Sequence, residues 1–438
     1  MTDFAGLTSV LGSTLGAWYD FRDLNNLQRL ITEWIAEWGP DWLASIIAGV
    51  LGTLGILGVI GPTLLILIWV ERKVIARFQQ RYGPNRVGPK GLLQPVADAV
   101  KLILKEQLAP RAADKLIFFL PPVLIFVPGV LIWGVLPFGP RMSVADLNVG
   151  VLFLLAVSGT TVLVIFMAGW SSNNKYALFG AMRAVAMSIS YEVPMVLALL
   201  TLVVFSGTMS INGIVEWQQQ EDVIFILLFP LSAIAFFFAA SAELNRTPAD
   251  ISEAESEIVA GYHTEYSGMR FGLFYAVELG NTLVVSAFIA TFFLGGWWLW
   301  GLDQWVPSWI ILLAKTGAVY FLLIWTRGTL PRLRVDQLMS FCWKALVPAT
   351  LLFVVVAFVE RTLLISEGWD TTVALPIMAV FNIALTLGAI MLFARVSRPA
   401  ALRRPARIRM VGTEIGGLRA ARQVASRTEE PQFQVGGD

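Results

Sequence analysis

Long apolar runs recur along the chain, and short stretches between them gather nearly all of its charge. A helix that crosses the hydrocarbon core of a bilayer needs about 20 mostly apolar residues. The runs predict spans near residues 43–70, 116–137, 149–169, 184–206, 224–241, 272–296, 308–325, 344–364 and 373–394. The expected fold class is an all-α integral membrane protein with about nine transmembrane helices. The runs at 224–241 and 308–325 are short for the task.

A second pattern appears between the spans. Residues 91–105 put Leu92, Leu93, Val96, Val100, Ile103 and Leu104 on one helical face, and Gln94, Asp98, Lys101 and Lys105 on the other. Such an amphipathic helix lies on the membrane surface or roofs a cavity. Leu27, Leu30, Ile31, Trp34 and Trp38 recur at helical spacing over 24–38. That stretch reads either as an interfacial helix or as a loosely structured extension. Three regions result: an N-terminal extension over 1–42, a transmembrane domain over 43–394 with long loops at 71–115 and 242–271, and a basic then polar tail over 395–438. The tail reads as a disordered segment, or as a contact for anionic lipid or a partner.

Basic residues set the orientation, because Lys and Arg collect on the cytoplasmic side. Segment 71–115 holds ten, 170–183 and 242–271 two each, 326–344 four, and the tail from Arg395 nine. With nine spans, all five segments fall on one side, opposite Arg22, Arg29 and Arg141. The N-terminus is expected outside and the C-terminus inside.

Composition narrows the chemistry. The 438 residues are 56% hydrophobic and 14% charged, with a mean hydropathy of +0.69 and a net charge of +1. Soluble domains are rarely so apolar, and no global basic field attracts nucleic acid. One cysteine, Cys342, and one histidine, His263, exclude a chain-borne iron–sulfur cluster or a bis-His haem and disfavour structural zinc. Redox centres, if the chain takes part in electron transfer, belong to partners. The first residues lack the basic start of a cleavable signal peptide.

Acids inside spans are the candidates for chemistry. Glu192 and Glu278 each sit several residues into a run, where a carboxylate must be paired, protonated or wetted. The alternative is a structural pair, for example Arg183 with Glu192. The loop over 242–271 carries Glu243, Asp250, Glu253, Glu255, Glu257 and Glu265 against only Arg246 and Arg270. Glu253 and Glu257 share a helix face, so this loop is either a solvated acidic surface or a set of proton-exchanging groups. His263 offers a proton shuttle or a hydrogen-bonded structural ring. Lys315, Glu360 and Arg361, toward the outer ends of spans, read as structural residues, placed where long side chains can snorkel to the interface. Trp297, Trp298, Trp300, Trp305 and Trp309 suit an interfacial aromatic belt.

Four segments carry a family resemblance: ERKVIARFQQRYGPNRVGPKGLLQPVADAVKLILKE, GWSSNNKYALFGAMRAVAMSISYEVPM, ELNRTPADISEAESEIVAGYHTEYSGMRFGLF and RGTLPRLRVDQLMSFCWKALVP. Together, from about residue 45 to 365, they resemble the complex I subunit 1 family, the H subunit of bacterial NADH–quinone oxidoreductase. The chain departs from that pattern at Thr247, Pro248 and Ala249, where an aromatic usually follows an alanine–proline pair, and at Leu279, often a tyrosine.

The resemblance implies a membrane subunit of a proton-translocating oxidoreductase in the bacterial plasma membrane. Quinone would be its substrate, with FMN and iron–sulfur clusters on partners. Those partners would be cluster-bearing quinone-site subunits, small membrane subunits and antiporter-like subunits. It also implies residue roles. Arg72, Lys73 and Arg81 would line the quinone chamber, with Arg334 and Asp336 bracing it. Glu71, Arg183, Glu192, Glu243, Asp250, Glu253, Glu255, Glu257 and Glu278 would form a charged path toward the antiporter-like subunits. The competing readings are the membrane subunit of an energy-converting hydrogenase-type complex, a free-standing ion carrier, and a purely structural anchor.

Overall fold

The computed structural model describes residues 40–140, 142–250, 261–301, 305–367 and 371–396. The stretch 24–38, the acids Glu253, Glu255 and Glu257, and the tail beyond residue 396 lie outside the described residues. Two compact units are delimited, Met1–Thr386 and Leu387–Asp438, and the architecture below is that of the first.

The described residues are helical, without a strand among them. In order come α1 (Asp41–Phe78), α2 (Gln94–Leu104), α3 (Lys115–Val135, broken into short pieces), α4 (Gly150–Ser171) and α5 (Lys175–Ser206). Then follow α6 (Ile211–Gln220), α7 (Pro230–Glu243), α8 (Met269–Phe293), α9 (Ser308–Thr329) and α10 (Val335–Phe341). A π-helical turn, Cys342–Leu346, joins α10 to α11 (Val347–Glu367), and α12 is Thr371–Val396. Among the described residues, eight helices are long and apolar enough to cross a membrane, counting α10 to α11 as one.

The predicted span at 224–241 is the exception. It forms a single turn, Phe225–Leu228, and then α7. Pro230 explains the break. Proline has no N–H and suits the first helical position, while it pushes the residue before it out of the helical region. Phe229 accordingly has φ −125° and ψ 63°. Interrupted backbone inside a membrane needs substitute partners. Around the break, the Phe229 N–H donates to the Phe225 carbonyl and the Ala233 N–H to the Phe229 carbonyl. At the start of the single turn, buried Gln218 accepts from the Phe225 N–H through Oε1 at 3.0 Å and donates from Nε2 to the Phe292 carbonyl of α8 at 3.2 Å.

Helix α5 is the hub, with α4, α7 and α11 packed against it. Lipid tails are as apolar as side chains, so close van der Waals fit rather than burial holds such helices together. Ala177, Ala181, Ala184 and Ala198 of α5 are buried and allow that approach. The helix starts nine residues before the apolar run at 184, because Lys175 and Arg183 extend it past the hydrocarbon zone. Asn174 caps it, its side chain accepting from the Tyr176 N–H at 3.0 Å. Gly207 ends it in the left-handed region at φ 76°, its N–H donating to the Val203 carbonyl.

The basic loops meet at one end of the bundle. Asn174 Nδ2 donates to Glu265 Oε1 at 2.6 Å, the Leu108 N–H to Ser267 Oγ at 2.9 Å, and the Leu333 N–H to the Pro248 carbonyl at 3.2 Å. The other loops meet at the opposite end, where Ser210 Oγ bonds Asp146 and Trp300 Nε1 donates to the Asp222 carbonyl.

Three expectations are corrected there. Trp297 and Trp298 are buried, and only Trp300, Trp305 and Trp309 are exposed as a belt requires. Lys315 does not snorkel: its ammonium donates to the carbonyls of Leu294, Gly296 and Trp298 at 2.6, 3.0 and 2.5 Å, capping the end of α8. Glu360 is buried against Asn382 of α12 rather than reaching for the interface.

Candidate functional site

The loop between α7 and α8 brings a buried guanidinium into the basic end of the bundle. Arg246 Nη1 donates to Glu71 Oε1 of α1 at 2.5 Å, and its Nε lies 3.6 Å from Glu278 Oε1 of α8. Arg327, in the last turn of α9, donates to the same Glu71 oxygen. Arg332, just beyond α9, donates to Asp250 Oδ2 at 2.9 Å. Glu71 and Arg246 side chains are each 5% exposed, so neither would carry a charge at tolerable cost without the other. Burial alone would lower the affinity of Arg246 for its proton. Glu71 and Glu278 outweigh it, and the guanidinium stays above its ordinary range. Asp250 is pushed up by burial, against the pull of Arg332 and Arg327.

Glu278 also faces the other way. With Glu243 it lines a cavity of about 90 Å³ bounded mainly by apolar side chains of α3, α4, α5, α7 and α8. Ser158, Thr161 and Asn281 supply further polar groups in its wall. A cavity needs room and two to four polar partners to hold water, and this one has both. None of residues 71–90 lines it.

Glu192 stands in the middle of α5, half-buried against α4. Gly159 makes its place, since a Cβ there would come 2.9 Å from Glu192 Oε1. Arg183 is half-buried on the same helix, roughly 13 Å nearer its start at 1.5 Å per residue.

The residues expected to line a chamber lie on the surface of this end. Arg72 Nη1 binds Asp98 Oδ2 of α2 at 2.5 Å, with Gln94 and Lys101 beside it. Burial would raise the Asp98 carboxyl, but Arg72 outweighs it and holds the group below the usual range. Lys73 packs over the Trp69 ring, and exposed Arg81 bonds Gln79. Arg334 and Asp336 are exposed at the start of α10. Helix α2 forms where predicted, yet Val96, Val100, Ile103 and Leu104 face outward from this chain. His263 is packed between Tyr262 and Phe271, and burial lowers it to about 4, the value of a neutral ring rather than a working shuttle.

Sequence reasoning brought Glu71, Asp250 and Glu278 forward but missed the cations that hold them, Arg246, Arg327 and Arg332. One signal was present: Arg246 is one of only two cations in an acidic loop, and it lies within a few residues of a span's end.

The chain is similar in sequence to known proteins. A family model for NADH dehydrogenase matches residues 51–358. The H subunit of NADH-quinone oxidoreductase from Dehalococcoides mccartyi is 51% identical over 333 residues, 76% of this chain and 91% of that one. An H subunit of the same enzyme from Geobacter metallireducens is 47% identical over 299 residues, 66% and 89% of the two chains. The Rickettsia felis counterpart is 46% identical over 297 residues, 66% and 86%.

Proposed function

Because the chain belongs to the NADH dehydrogenase family of complex I subunit 1 proteins, we propose that it is the H subunit of a bacterial NADH–quinone oxidoreductase. In this reading it sits in the plasma membrane with nine spans, α7 being the ninth, its N-terminus outside and its C-terminus inside. Quinone is the substrate, and cluster-bearing, small membrane and antiporter-like subunits are the partners. The family match leaves the hydrogenase-type and free-standing carrier readings without support of their own.

Quinone reduction consumes two electrons and two protons. With one cysteine and one histidine, this chain contributes shape, protons and electric field, and the electrons come from FMN and iron–sulfur clusters on partners. Arg72, Lys73, Arg81, Arg334 and Asp336 would border a chamber that partner subunits close over this end. The outward apolar face of α2 supports such a cover.

The observation that carries the proposal is Glu278, which belongs both to the buried ion cluster and to the cavity containing Glu243. A charge change at the headgroup would act first on Glu71, Asp250 and Arg246. It would pass to Glu278 through Arg246, and on to Glu243 and to Glu192 with Arg183. Glu253, Glu255 and Glu257 would feed the same path from the loop. Glu278→Gln and Glu192→Gln test this in the assembled complex. We expect each to slow quinone reduction by roughly a hundredfold or more, the range that loss of a positioned acid or base produces, or to lower the protons moved per electron. An unchanged rate and an unchanged ratio in both variants would remove these acids from the mechanism.

A further inference from the structure

Far from that cluster, α11 and α12 share a polar contact that the proposed path does not use. Asn382 Nδ2 donates to Glu360 Oε2 at 3.1 Å. Glu360 is 6% exposed and Asn382 is wholly buried. The two remaining oxygens, Glu360 Oε1 and Asn382 Oδ1, are buried without a hydrogen-bond partner. Both are acceptors, and an ionised carboxylate has no proton to give. Thr386, the next polar residue along the buried face of α12, turns its hydroxyl back to the Asn382 backbone carbonyl and so does not serve them.

A carboxylic acid and a carboxamide meet in a ring. The amide N–H donates to one carboxyl oxygen, and the acid O–H donates to the amide oxygen. One proton on Glu360 Oε1 therefore satisfies both orphaned atoms at once and removes a charge that the membrane interior penalises.

We infer that Glu360 and Asn382 form a one-proton binding site between α11 and α12, with the proton on Glu360 Oε1 and shared with Asn382 Oδ1. The proton comes from hydronium in the surrounding water: one of its O–H bonds breaks as the Glu360 O–H bond forms, and a water molecule is left. Loss of the proton sets acceptor against acceptor, so release is tied to separation of the two helices.

Among the described residues, no other charge substitutes for that proton. Arg361, next along α11, turns toward the end of α5, where its Nη2 lies 3.4 Å from the position of a Cβ on Gly207. The ionisable groups on the elements packed against α11 are Lys175, Tyr176, Arg183, Tyr191 and Glu192 of α5, Glu243 of α7, and Cys342 and Lys344 of the π-helical turn. The register of α5 and α11 places them elsewhere. Cys342 Sγ sits 3.0 Å from the Ser190 carbonyl, and Glu360 stands roughly 27 Å further along at 1.5 Å per residue. The site is thus separate from the path through Glu192.

Infrared difference spectroscopy of the assembled complex in membranes, wild type minus Glu360→Gln, tests the inference at neutral pH. The expected result is a protonated-carboxyl C=O band that Glu360→Gln removes and deuterium oxide shifts. Loss of carboxylate stretching bands instead would overturn the site, because Glu360 would then be ionised and held by water or a monovalent cation. Should Glu360→Gln fail to assemble, Asn382→Ala carries the test. Its C=O band must move in frequency because the O–H loses its acceptor, and an unmoved C=O region would overturn the proposal.

Discussion

Arg246 lies between Glu71 and Glu278, and its removal differs in kind from removal of an exposed partner. Arg246→Met would leave Glu71 to Arg327 and Glu278 without its nearest cation. Breaking a buried pair in this way costs about 3–5 kcal/mol. Arg332 is 53% exposed in its pair with Asp250, and Arg332→Met should cost about 1 kcal/mol or less. Thermal unfolding of the detergent-solubilised complex would separate the two, and equal losses would contradict the burial argument. His263 gives a pH-dependent case. Its folded value is about 4, against 6.5 for a free histidine. Between those values the unfolded chain binds more protons, so this contribution is complete above pH 6.5 and is lost as pH falls toward 4. The full loss is about 3 kcal/mol. His263→Gln should flatten the fall in unfolding midpoint between about pH 7 and about pH 5, and an unaltered slope would show that the acid sensitivity lies elsewhere.

Helices show what is legible in a sequence and what is not. Apolar runs located the spans, since length and hydropathy are local properties. The break before α7 was also written in the chain, at Pro230, but an averaged hydropathy run hides a single proline. The role of Gln218 was not legible, because its bonds to Phe225 and Phe292 depend on three elements meeting. The same holds for Arg327 with Glu71, which are 256 residues apart. Burial of Trp297 and Trp298 had no local sign either: an indole at a span's end looks the same whether it meets lipid or protein. At this scale the test is Gly159→Ala. The added methyl would press on Glu192 Oε1, the far end of a flexible side chain, and turn the carboxylate aside. We expect an assembled complex whose quinone reduction or proton ratio is altered as in Glu192→Gln. Wild-type behaviour would mean that the carboxylate's present position is not needed.

The whole molecule divides its loops into two sets, with basic loops knitted together at one end and the tryptophan-bearing loops at the other. That division makes the orientation testable. The native cysteine is buried, so it offers little background to thiol labelling. With Cys342 replaced, Arg86→Cys should react only from the cytoplasmic side of sealed vesicles and Trp305→Cys only from the outer side. The reverse pattern would invert the proposed topology.

Glu71 is clasped by two guanidiniums that arrive from separate parts of the chain. A doubly secured anchor tolerates the failure of one tether but not of the post. Arg327→Ala should therefore be survivable, since Arg246 keeps hold, whereas Glu71→Ala takes the shared carboxylate from Arg327 and leaves Arg246 with Glu278. If this cluster rearranges during turnover, the design lets one arginine swing away while the other stands guard, so the interior never holds a naked anion at mid-stroke.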